Sequence, residues 1–143
     1  MKAATFRDRP WLCIPALTAM LFDTVVTVYG QAEEYWKGHH GKTNEFNPVI
    51  HAFMSTHWIG LFVITALWIA IIVPLILFLP RKLALIIASA IVLGNTWGAG
   101  TWLSLHSFWH VIVLIVVNAS IFALCVEKAL TVGQTDQEKT HAA

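Results

Sequence analysis

Charge is what this sequence has least of. Only 12% of its 143 residues are Asp, Glu, Lys or Arg, where a soluble domain carries about 25%. No charged residue occurs from Phe46 to Pro80, nor from Leu83 to Val126. Each of these stretches exceeds the roughly 20 residues that cross a bilayer. A soluble enzyme and a disordered chain are excluded by that distribution. The net charge of +1 leaves no polyanion-seeking surface, so no nucleic-acid partner is expected. Cysteine is scarce too. Cys13 and Cys125 make no disulfide framework and read as small apolar packing residues.

What is present in abundance is apolar surface, 57% of residues. It divides into four spans, at about 11–29, 58–79, 83–102 and 106–126. The expected fold is therefore all-α: an integral membrane four-helix bundle in one domain, 1–127, with a polar, disordered tail over 128–143. The lipid bilayer is its first partner. Lys2, Arg7 and Arg9 precede the first span, Arg81 and Lys82 form the second loop, and Lys128 and Lys139 lie in the tail. The first loop holds Lys37 and Lys42 against Glu33, Glu34 and Glu45. That bias places both termini in the cytoplasm and the protein in the cell inner membrane as a multi-pass chain. Trp36, Trp58, Trp102 and Trp109 fall at the outer interface and Trp11 at the inner one. A cleaved signal peptide would need an uninterrupted apolar core, and Asp23 interrupts it.

The first loop carries structure of its own. Asn47-Pro48 reads as a helix start, with Asn as cap and Pro in the first turn. A short interfacial helix over 48–57, or an outward extension of the second span, would follow. Gly94 and Gly98 form a G-x-x-x-G on the third span, a packing face for a membrane partner or a second copy.

Polar residues at membrane depth are costly and carry most of the functional information. At 1.5 Å per residue, Asp23 lies roughly 18 Å from Trp11, Asn95 roughly 20 Å from Lys82, and His110 roughly 26 Å from Glu127. All three depths fall in the outer half. Thr27 is one turn beyond Asp23 on the same face. Glu45, Asn47, His51 and His57 descend onto this level from the loop. Asp23 must be protonated, hydrogen-bonded or bound to a cation, so Asp23 and Glu45 are the candidate catalytic residues. His106 and His110 form an H-x-x-x-H pair. Read as i and i+4 of one helix, they can share a metal ion. Asp23, His106, His110 and His51 are then the candidate ligands for zinc or another divalent transition metal, with Thr27, Asn47 and Asn95 in support. His39-His40 reads as a solvated pair. Ser89 and Asn118 are the polar groups of the inner half.

The pattern Asp23-x-x-x-Thr27 followed by Glu45-x-Asn47-Pro48 resembles a family of small prokaryotic polytopic membrane proteins known only as a domain of unknown function. The resemblance spans roughly Leu17 to Leu103. It implies further apolar helices and a joint role for Asp23, Thr27, Glu45, Asn47 and Pro48. It implies no activity. The longer first loop and the fourth helix depart from it. The H-x-x-x-H pair also resembles the last-helix signature of seven-helix membrane amide hydrolases. This chain has too few helices for that fold, so the likeness is one of chemistry alone.

Three functions compete on these residues. The first is an accessory or scaffold subunit with no reaction of its own. The second is a membrane-embedded metal site, acting as a metal-dependent hydrolase. The third is an oligomeric transporter or proton-coupled channel.

Overall fold

The structure, a computed structural model, describes residues 8–141, with side-chain environments through residue 132. Six α-helices make up the described chain: α1 (Arg9–Tyr29), α2 (Glu33–Trp36), α3 (Pro48–Thr56), α4 (Gly60–Phe78), α5 (Arg81–Ser104) and α6 (Phe108–His141). A 3-10 turn at His40–Lys42 lies between α2 and α3. Four helices, α1, α4, α5 and the Phe108–Val132 part of α6, are long and apolar enough to span a membrane. The connection from α1 to α4 and the α5–α6 turn share one end of the bundle, the loop end. The start of α1, the α4–α5 turn and the later turns of α6 share the other, the terminal end.

The arrangement is a central pair with two flanks. α1 packs against α4, α5 and α6, and α5 packs against α1, α4 and α6, while α4 and α6 flank that pair. Small residues explain the central pair. Ala16 on α1 and Ala84 and Ala88 on α5 are almost fully buried in one cluster with Leu12, Cys13, Ile72, Ile76 and Ala129. Small side chains let helix backbones approach closely where lipid supplies no hydrophobic drive. The flanks show their apolar sides outward, as with Leu67 and Ile71 of α4 and Val113 and Val116 of α6. Both cysteines are buried and free.

The terminal end is fastened by charge. Arg9 donates to the Leu79 carbonyl at 2.9 Å, and Arg81 donates to the Ala129 carbonyl at 3.3 Å. Asp8 sits between the two guanidiniums, 3.4 Å from Arg9 and 3.5 Å from Arg81. One carboxylate thereby joins the start of α1 to the α4–α5 turn and, through Arg81, to α6. Lys128 lies 6.0 Å from the Trp11 ring centroid, a cation–π contact at the same end.

The α1–α4 connection is folded rather than slack. Gln31 is buried; it donates to the Thr27 carbonyl at 3.2 Å and accepts from Thr43 Oγ1 and the Asn44 amide, both at 3.1 Å. Tyr35 is fully buried with Met54, Leu61 and Ile64, and its hydroxyl donates to the Met54 carbonyl. Its ring meets His40 at 5.1 Å, and His40 meets His57 at 5.6 Å. His39 is exposed, but His40 is a packed ring rather than half of a solvated pair. α3 and α4 are separate helices. His57 is extended, and at Gly60 a Cβ would strike the Phe53 carbonyl, so the corner admits only glycine.

The fourth-span helix runs on past Val126 to His141, where the sequence reading has a disordered tail from residue 128. Ala, Leu, Gln, Glu and Lys in that stretch are strong helix formers, and no proline interrupts them.

Candidate functional site

The site begins with a carboxylate and a glycine. Asp23 lies on α1, six residues before its end, hence about 9 Å from the loop end. Its side chain turns toward α5. A Cβ built on Gly98 would lie 2.8 Å from Asp23 Oδ1 and 3.2 Å from Oδ2. Glycine at 98 is thus the recess that receives the carboxylate. Around Gly94, one turn away, a Cβ would meet nothing within 4 Å. The G-x-x-x-G motif therefore serves α1 at one glycine and open space at the other.

Glu45 approaches from the loop, placed by local hydrogen bonds. Its Oε1 accepts from the Asn47 amide at 2.7 Å. Asn47 Oδ1 in turn accepts from the Val49 and Ile50 amides at 3.0 and 3.4 Å, the N-cap geometry that starts α3. His51 Nδ1 lies 3.1 Å from the Glu45 carbonyl. The E-x-N-P segment is one continuous turn, and it brings Glu45 to the recess that Asp23 lines.

Between these groups is a cavity of about 450 Å³. Asp23 and Thr27 of α1, Glu45, Phe46 and Asn47 of the loop, Trp68 of α4, and Gly94, Asn95, Trp97, Gly98, Thr101 and Trp102 of α5 all line it, on an apolar floor of Met20, Ile72 and Ile91. Asn95 donates to the Ile91 carbonyl at 2.8 Å, and Thr101 donates to the Gly98 carbonyl at 2.6 Å. These polar groups are satisfied within their own helix, so the two carboxylates are the charged features of the lining. No Lys, Arg or His is among the lining residues. Two carboxylates that line one recess without a basic partner favour a cation beside them.

The structure brings together Asp23, Thr27, Glu45, Asn47 and Asn95. It leaves the histidines elsewhere. His51 holds the Glu45 backbone and does not line the cavity. His106 and His110 are exposed and also lie outside it. Their helical i, i+4 register does not exist. Ser107 Oγ accepts from the Trp109 amide at 3.3 Å, and α6 begins at Phe108. His106 consequently sits in the turn before the helix. Among the described residues no three His, Cys, Asp or Glu side chains are grouped to hold a metal ion. Ser89 and Asn118 line a second, largely apolar recess between α5 and α6. There Ser89 donates to the Leu85 carbonyl and Asn118 to Thr96 Oγ1, both at 2.8 Å.

Two contributors have little sequence signal. Trp102 lines the cavity while its ring covers Gly30, where a Cβ would collide with it. Gln31 ties down the stretch of loop just before Glu45. The Gly30-Gln31 pair at the end of an apolar run was the available cue. Comparison with family models, curated proteins and solved structures returns no match.

Proposed function

We propose that this protein is a non-catalytic accessory subunit of the cell inner membrane, and that it holds a ligand in the Asp23–Glu45 cavity on the external side. The observation that carries the reading is the convergence of two carboxylates, from α1 and from the loop, on one cavity that no basic residue lines. The orientation is supported by the Lys and Arg excess at the terminal end, in Arg9, Arg81, Lys82 and Lys128, set against the Glu-rich first loop. Exposed apolar side chains on α4 and α6 support a lipid surround, with room for a partner protein beside them.

Cysteine accessibility tests the reading. In a chain with Cys13 and Cys125 replaced by alanine, Gly94→Cys points a thiol into open space. A membrane-impermeant thiol reagent should modify it in intact cells. Modification only in inverted vesicles would overturn the external side, and no modification in either would overturn the open cavity. Metal analysis of the purified protein separates the hydrolase reading. Stoichiometric metal lost in Asp23→Asn would favour a metal centre over the accessory role.

A further inference from the structure

We infer that the cavity binds an alkylammonium cation. The inference rests on the ligand-holding reading above and names the ligand's chemistry. Three features of one recess combine. Its volume of about 450 Å³ exceeds what a bare metal ion fills and suits an organic headgroup. Its charged lining is acidic only, from Asp23 and Glu45. Trp68, Trp97 and Trp102 are among the residues that line it. An aromatic face attracts an ammonium through its quadrupole and is a poor ligand for a small hard cation. Carboxylates alone would suit calcium or a proton equally. The indoles turn the balance toward a cation with an apolar skin. Trp97 is 79% exposed, so replacing it leaves the packed core of the bundle intact. The ammonium has two sources, a soluble amine or the headgroup of a zwitterionic lipid, and the chemistry recognised is the same.

The test is thermal unfolding of the detergent-purified full chain with choline chloride, at ionic strength matched by sodium chloride. The parallel probes are 3,3-dimethylbutanol, the neutral isostere, and calcium chloride. Choline should raise the unfolding midpoint by about 3 °C or more at saturation, and the neutral alcohol should not. Glu45→Gln should abolish the shift. Its amide oxygen still accepts from the Asn47 amide, so the turn is kept. Trp97→Leu, at an exposed position, should weaken apparent choline affinity by about fivefold. Equal shifts with choline and the alcohol, a shift with calcium alone, no shift with any probe, or a choline shift that survives Glu45→Gln would each overturn the inference. Lipid discs distinguish the sources. A choline shift in phosphatidylglycerol discs that vanishes in phosphatidylcholine discs identifies a headgroup, whereas one that persists in both identifies a soluble amine. Gly94→Cys labelling is independent of any ammonium. An accessible thiol beside a failed choline response would reject the ligand class and leave the cavity reading standing.

Discussion

At Gly98 the missing methyl group decides where a carboxylate sits. With a Cβ only 2.8 Å from Asp23 Oδ1, Gly98→Ala must displace either the side chain or α1. Overpacking of this kind costs about 1–3 kcal/mol. The loss should be visible as a lower unfolding midpoint in detergent. In an Asp23→Ala background the same substitution should cost much less, because the clashing atoms are gone. Equal costs in both backgrounds would mean that Asp23 does not occupy that recess. This role was only half legible in the sequence. Asp23 announces itself as a carboxylate in an apolar run, and Gly98 announces a small-residue face. That the two are partners depends on how α1 and α5 are rotated against each other, and spacing within one helix carries no such information.

Among the elements, α3 is the one whose start the sequence marks best. Asn47-Pro48 states its own capping chemistry, and the structure begins the helix at Pro48 with Asn47 Oδ1 on two amides. Asn47→Ala should destabilise α3 by about 1 kcal/mol. Hydrogen exchange at the Val49 and Ile50 amides should accelerate accordingly, and unchanged exchange would contradict the cap. The loop before it was not legible. Gln31 reads as one more polar residue after a span, yet its side chain holds Thr27, Thr43 and Asn44 together. Gln31→Leu strands those groups, at about 1–3 kcal/mol for each that stays buried and unpaired. Limited proteolysis between residues 31 and 47 should become faster, and resistance equal to the parent's would contradict the tie. The helical register expected of His106 and His110 is absent for a related reason. It required a helix through residue 106, and the decision lay with Ser107, whose hydroxyl starts α6 later.

For the whole molecule, the four spanning helices were the most legible feature, because lipid imposes uncharged runs that no packing detail can disguise. Their lateral order was not. Nothing in the hydropathy says that α1 and α5 form the centre, since that follows from where Ala16, Ala84 and Ala88 meet. The fastening at the terminal end was equally hidden, because Arg9 and Arg81 read as topology signals. Asp8 and Arg9 are both buried, so removing the carboxylate leaves an enclosed guanidinium without its anion. Asp8→Ala should cost about 3 kcal/mol. Arg81→Met, at a side chain 42% exposed, should cost about 1 kcal/mol or less. Unfolding midpoints of the two variants in one detergent decide this, and a cost for Arg81→Met as large as that for Asp8→Ala would contradict the assignment.

The central claim is that Asp23 and Glu45 act together as the charge of one accessible cavity. Its most direct test compares two small thiol reagents of opposite charge at Gly94→Cys. The cationic reagent should react at least about tenfold faster than the anionic one, the preference expected where a one-signed cleft concentrates counter-charge. Asp23→Asn and Glu45→Gln should each reduce that ratio, and the double variant should bring it close to one. Equal rates in the parent, or a ratio unmoved by either substitution, would contradict the account.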